Sequence, residues 1–269
     1  MRRLPGQALR VGVEHDSLAL VSTGGWFGAR GDVVAELRLD DGAGPGALAH
    51  GLRALLGEGR AAGWPVSVVL ADELARMWQV APPPQAASPA DLEAAAAMRF
   101  ASLFGAPPNG WTIAADWQAT HPFLAAALPS ALLATLAQAA LEARCHLVEV
   151  VPQFVAAMNG WRKLRRPGAW FGLVHGQVLS LAAYDGARLA ALRTAVVPPG
   201  AGRDWLERHV VREALRIGIE QPARLQLCGS APRDWAGNGG GQTFGCTLLG
   251  EEVRASSGAV RLARTGSAA

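Results

Sequence analysis

Apolar residues along this chain fall into short runs separated by polar turns, and one arrangement of those runs occurs twice. Residues 10–21 read RVGVEHDSLALV, two apolar runs around a polar turn, and the alternating DVVAELRL follows at 32–39. A helical stretch over about 47–62 and the wholly apolar VSVVL at 66–70 complete this unit. Residues 169–184, AWFGLVHGQVLSLAAY, again set two apolar runs around a turn. RLAALRTAV at 188–196, a helical stretch over about 203–216 and RLQL at 224–227 then repeat the order. Val11 and Val66 are 55 positions apart, and Leu173 and Leu225 are 52 apart. Alternation with period two predicts strands and 3.6-residue spacing predicts helices. Each unit therefore reads as three meandering strands, a crossover helix and a buried strand, and such a repeat constrains the fold before any other feature.

Between the units the pattern departs from the repeat. Pro82-Pro83-Pro84 forbids helix and reads as an extended surface segment. Ser88-Pro89-Ala90-Asp91 has the form of a helix start, with a capping serine, proline at the first helical position and an acid in the first turn. That helix covers about 89–104. Strand-like runs at 110–118 and 123–128, a helix over about 130–143 and a buried strand at 147–151 follow. Pro152 leads into a helix ending in the basic cluster at 162–166, and Pro167-Gly168 marks a hinge. The expected organisation is a first subdomain over 1–167 with an inserted α/β segment at about 71–146, a second over 168–250, and a weakly ordered tail over 251–269. The Asn-Gly-Gly-Gly run at 238–241 reads as a flexible loop.

Half of the 269 residues are hydrophobic and 17% are charged, enough to bury a substantial core. A net charge of +3 is too small to argue for nucleic acid. Lys163 is the only lysine, a bias that fits a GC-rich bacterial genome. It lies in Trp161-Arg162-Lys163-Leu164-Arg165-Arg166, so no Gly-Lys-Ser/Thr exists and a P-loop NTPase is excluded. Cys145, Cys228 and Cys246 are far apart, with no CxxC, which suits a reducing, cytoplasmic compartment. Cys145-His146 has no second pair at ligand spacing and reads as packing, so no metal is expected. The basic N-terminus lacks the apolar region of a signal peptide. The uncharged stretch at 122–141 reads as a strand end followed by a buried helix opened at Pro129. No GxSxG elbow is present.

Residues 66–92 read VSVVLADELARMWQVAPPPQAASPADL. This stretch resembles the first subdomain of PilM-type pilus assembly proteins and the cytoplasmic region of GspL-type secretion proteins. There, too, an apolar strand runs into an acidic, arginine-containing segment, a proline-marked extension and a helix starting near an acid. The resemblance implies an α/β, duplicated actin-like fold, in which a ribonuclease-H-like βββαβα unit used twice forms two subdomains around a cleft. It implies a cytoplasmic protein at the inner-membrane face, peripheral through its partner, recruiting parts of a type IV pilus or type II secretion-like machine.

Actin-like enzymes hold nucleotide with turns that bring backbone N–H groups to phosphates, and with an aspartate that organises magnesium. Here the first turn, Glu14-His15-Asp16-Ser17, has acids without glycine, and the second, His175-Gly176-Gln177, has glycine without an acid. The adenosine-side loop keeps a single glycine, Gly229. Asp72 follows the buried strand, either as a catalytic carboxylate or as a cap for the next turn. If nucleotide binds, Glu14, Asp16, Asp72, His175, Gly176 and Gly229 are its residues. The eroded turns leave no cofactor expected beyond vestigial ATP and magnesium.

Arg162, Lys163, Arg165 and Arg166 form the densest charge cluster, suited to an acidic partner peptide, anionic headgroups or a helix C-terminus. Among nine tryptophans, Trp78 beside Pro82, Pro83 and Pro84 is the preferred partner anchor. The reading is a non-catalytic assembly scaffold that holds an inner-membrane partner's cytoplasmic segment in a groove of the first half. A homodimer is left open and nucleic acid is not expected. The alternative is an active ATPase or kinase of the same fold.

Overall fold

The structure, a computed structural model, describes residues 7–24, 31–39, 44–57, 61–237, 243–250 and 256–266. The first unit forms β1 (Ala8–Val13), β2 (Ser17–Thr23), β3 (Val33–Arg38), helix α1 (Pro45–Leu56) and β4 (Pro65–Leu70). The segment after it forms a short 3-10 turn (Asp72–Leu74), β5 (Arg76–Val80), α2 (Pro89–Phe104), β6 (Trp111–Ala115), β7 (Phe123–Pro129) and α3 (Ser130–Glu142). β8 (His146–Pro152) and α4 (Gln153–Gly160) close the first half. The second half runs β9 (Trp170–His175), β10 (Val178–Asp185), β11 (Arg188–Val196), α5 (Arg203–Ile217), β12 (Arg224–Gly229), β13 (Gly245–Leu248) and α6 (Gly258–Arg264).

Two five-stranded sheets follow one plan, β3-β2-β1-β4-β8 and β11-β10-β9-β12-β13. In each, the meander is antiparallel and the strand after the crossover helix pairs parallel to the first, Val11 against Val68 and Phe171 against Gln226. The repeat in the sequence is thus a repeat in topology. Parallel central strands are covered on both faces. Over the first sheet, α1 and α3 bury one face, with Leu48, Leu52 and Leu136 against Leu9, Val11 and Val68. Over the second, α5 places Leu206, Val210 and Ala214 on Trp170, Leu181 and Leu225. The remaining strands form a small sheet, β5-β7-β6, whose one face packs on α2.

α4 lies between the halves. Val69, Val151 and Ala156 join it to the first sheet, while Phe154 and Ala157 pack on Phe171 and Leu173 of the second. The α2 start is built as its sequence predicts: Ser88 and Asp91 form a capping box with Pro89 in the first turn.

Three expectations are corrected here. The weakly ordered tail over 251–269 contains α6, whose Ala259, Val260 and Ala263 cover Ala19 and Val21 of the first sheet. Its backbone rides so closely on β1 that a Cβ at Gly12 would overlap the Ala259 carbonyl. Beyond Gly229 the chain also adds β13, parallel to β12. The basic cluster does not end a helix, because α4 stops at Gly160 and 162–166 continues in tight turns, Leu164 N–H donating to Trp161 O at 2.9 Å. The 238–241 loop lies outside the described residues, as do 251–255 and 267–269.

Candidate functional site

The two halves meet where three turns converge. Glu14 follows β1; its carboxylate accepts from Ser17 Oγ at 3.0 Å and lies 3.1 Å from Nε2 of His175, at the end of β9. The His175 hydrogen bond, with help from Ser17 and Arg261, holds the Glu14 carboxyl below the usual carboxylate range. Asp72, directly after β4, accepts the Phe154 N–H at 2.9 Å and so caps the start of α4. Burial pushes its carboxyl up to about 6, against the opposing pull of that bond and of His175.

Gly176 turns the β9–β10 hairpin at φ +55°, and Gly229 ends β12 at φ +79° with its backbone against the Val174 carbonyl. Ser230 donates to that carbonyl from both N–H and Oγ. Asp16 does not join the cluster: it is 53% exposed and 4.0 Å from Arg38. Glu14, Asp72 and His175 are therefore brought together, each already engaged by a group of the chain. Among the described residues no group of three or more His, Cys, Asp or Glu is arranged for a metal ion.

A second concavity, of about 1210 Å³, lies in the first half and reaches the β10–β11 turn. Side chains alternate across a strand, and the small sheet uses both its faces. Phe123, Ala125 and Ala127 join the α2 core, while Leu124, Ala126 and Leu128, with Thr112 and Ala114 of β6, line the groove. Opposite them stand Glu149 and Val151 of β8 and Val155 and Met158 of α4. β6 and β8 each end a sheet, and an edge strand carries backbone N–H and C=O groups with no strand beside them.

The partner residues expected from the sequence separate. Arg162 and Arg165 line the groove, and Arg165 also stacks over Phe171 and Tyr184 at 5.8 and 5.4 Å. Lys163 and Arg166 are exposed and do not line it; the Arg166 N–H is pinned to Gln226 Oε1 at 2.8 Å. Trp78 is corrected outright as a partner anchor. It is 2% exposed, packed edge-on to Phe100 beneath α2. Pro82 and Pro83 are half-buried and Pro84 exposed on the way to α2, apart from the groove lining. In the sequence, the groove wall of β7 and β8 is marked only by the two-faced alternation of 123–129.

No protein-family profile matches the sequence, and no curated protein matches it. Solved structures do. The cytoplasmic domain of EpsL, an inner-membrane component of the type II secretion system of Vibrio cholerae, superposes with a TM-score of 0.57 at 14% identity, over 97% of this chain and 93% of that one. A Bacteroides thetaiotaomicron protein of unknown function with an actin-like ATPase fold gives 0.56 at 10% identity, over 85% and 84%. The PilM–PilN type IV pilus biogenesis complex gives 0.53 at 18% identity, over 87% and 84%. The chain has the actin-like ATPase fold. With the fold in place, the turns at Glu14, His175 and Gly229 stand where the two actin-like halves face each other. The groove lies between the inserted small sheet and the β8–α4 wall, and it reaches the β10–β11 turn. Among the described residues, no helix is long and apolar enough to cross a membrane.

Proposed function

We propose that this chain is a non-catalytic assembly protein of a type II secretion or type IV pilus machine, working at the cytoplasmic face of the inner membrane. It holds an extended cytoplasmic segment of a membrane-inserted partner in the groove between the small sheet and β8. The observation that carries this reading is the groove itself: an apolar face of the small sheet set across an open concavity from α4 and from the edge strand of the first sheet. Extended peptides bind such places through main-chain hydrogen bonds, with alternate side chains entering pockets. Two of the similar structures are a component of one such machine and a complex from the other.

The reading as a pseudo-ATPase is supported by the cleft. Glu14 is engaged by His175, Asp72 caps α4, and Gly229 is packed against Val174 O, so the groups that would meet a magnesium nucleotide have partners within the chain. On this reading Glu14, Asp72 and His175 serve to join the two halves and do not hold a nucleotide.

The test has two arms. Full-length protein bearing a photo-crosslinker at Leu124 is expected to trap an inner-membrane pilus or secretion component, identified by mass spectrometry. Ala126→Arg, which fills the groove, is expected to abolish trapping without lowering the melting temperature. Trapping that survives Ala126→Arg sinks the site. In the second arm, Mg-ATP is expected to leave thermal melting flat, whereas a nucleotide at ~100 times its Kd would add about 2.7 kcal/mol. A saturable shift abolished by Asp72→Ala would restore the ATPase or kinase alternative.

A further inference from the structure

The second half carries a charged cluster that neither the cleft nor the groove uses. α5 turns Leu206, Val210 and Ala214 inward, and its four-residue spacing sets Arg208, Arg212 and Arg216 along the outer face. Glu213, 5% exposed, gathers three guanidiniums: Arg216 at 3.0 Å, Arg193 of β11 at 3.5 Å and Arg212 at 4.0 Å. Arg212 also reaches His209 Nδ1 at 2.9 Å, and Arg193 donates to its neighbour's carbonyl, Leu192 O, at 3.0 Å. The three arginines are nonetheless 57%, 43% and 64% exposed for residues 212, 193 and 216. Arg208 is exposed and has no ion pair among the described residues. Of the acids on α5, Glu213 ion-pairs with three of these four cations, Glu207 is taken by Arg203, and Asp204 lies one turn before Arg208. Amid them Leu215 is 76% exposed, the highest value among the exposed large hydrophobics of the described residues.

We propose that this α5–β11 face docks on an anionic phospholipid surface, the guanidiniums on headgroup phosphates and Leu215 in the apolar boundary below them. One buried carboxylate mounts three guanidiniums and neutralises only one charge, leaving forks that match phosphate oxygens bidentately. A large apolar side chain among such cations is the pattern of an interfacial helix face. An acidic peptide would satisfy the charges and leave Leu215 without an apolar counterpart. The face lies outside the groove, so lipid binding and partner trapping succeed or fail separately.

The test is flotation of the full chain with vesicles of phosphatidylcholine alone, or of phosphatidylcholine with one-third phosphatidylglycerol. It should float only with the anionic vesicles and be released by high salt. Arg208→Glu changes two charges and breaks no ion pair among the described residues; at roughly fivefold per charge it should weaken binding about 25-fold. Leu215→Ser and Arg216→Lys should each weaken it severalfold, with unchanged melting temperatures. Equal flotation on neutral vesicles, no flotation, or parent-like binding by both Arg208→Glu and Leu215→Ser overturns the proposal. Poly-glutamate binding lost in Arg208→Glu without flotation would overturn it in favour of a protein partner. An inorganic-phosphate melting shift lost in Arg216→Lys, again without flotation, would reduce the face to a small-anion site.

Discussion

Asp72 and Glu14 sit in the same cleft and respond to pH in opposite senses. Burial raises the Asp72 carboxyl to about 6, so the folded chain takes up this proton more readily than the unfolded chain. Its contribution to stability therefore grows as pH falls from about 6 toward the ordinary carboxylate value near 4. Asp72→Asn keeps an acceptor for the Phe154 N–H and removes the buried charge. It is expected to gain on the order of 1 kcal/mol near neutral pH and to flatten the pH dependence between about 4 and 6, read from melting curves across that range. A parent-like slope in the variant would remove Asp72 as its origin.

Glu14 is lowered by His175, so its contribution is complete above the ordinary carboxylate pKa and is lost as pH falls through the lowered value. Glu14→Gln should cost about 0.5–1 kcal/mol near neutral pH and nothing in strong acid, measured by urea titration at both extremes. The residues of this cleft were legible as turn residues from the repeat alone. Their pairings were not, because His175 and Glu14 lie 161 positions apart and no local pattern encodes which turn faces which. Trp78 failed for a related reason. A tryptophan on a short strand beside prolines has the same sequence signature as a core residue or an anchor, and only the placement of α2 over it decides.

At the scale of elements, the strongly periodic strands and the capped helix α2 were readable, whereas α6 and β13 were not. α6 has only seven residues, too few for a helical period to stand out in the sequence, although its buried positions Ala259, Val260, Leu262 and Ala263 fall on one face. Its helicity rests on the groove it fills, as expected for a helix too short to form alone. Leu262→Ala should accordingly cost about 2–4 kcal/mol, and Gly12→Val, which drives a side chain into the α6 backbone, should cost at least as much; urea titration checks both. If Leu262→Ala costs only a few tenths, α6 does not seal the first sheet. The basic segment 162–166 could be found by counting charges, but its division into groove-lining Arg162 and Arg165 and outward Lys163 and Arg166 depends on the turn at Trp161, which composition does not carry.

For the molecule as a whole, contacts cross between the halves at several levels. Phe154 of α4 packs on Phe171 of the second sheet, Gln79 Nε2 donates to Leu189 O at 2.6 Å, and α6 returns from the second half to the first sheet. Such shared cores couple the halves energetically, so a single cooperative thermal transition is expected, coincident by circular dichroism and tryptophan fluorescence. Phe154→Ala, which should remove about 3–5 kcal/mol, is expected to separate the two signals; coincident transitions in that variant would show that the coupling lies elsewhere.

The return of α6 also sets an order of events during synthesis. Arg10 Nη1, on β1, donates to the Thr265 carbonyl at 2.5 Å, 255 positions later in the chain, so the first sheet is completed by a segment made long after it. Domains generally fold as they emerge, but here Ala19 and Val21 keep an uncovered apolar face until residues 256–266 have cleared the exit tunnel. The nascent first half must therefore wait, exposed to chaperones, until the whole second half has been made.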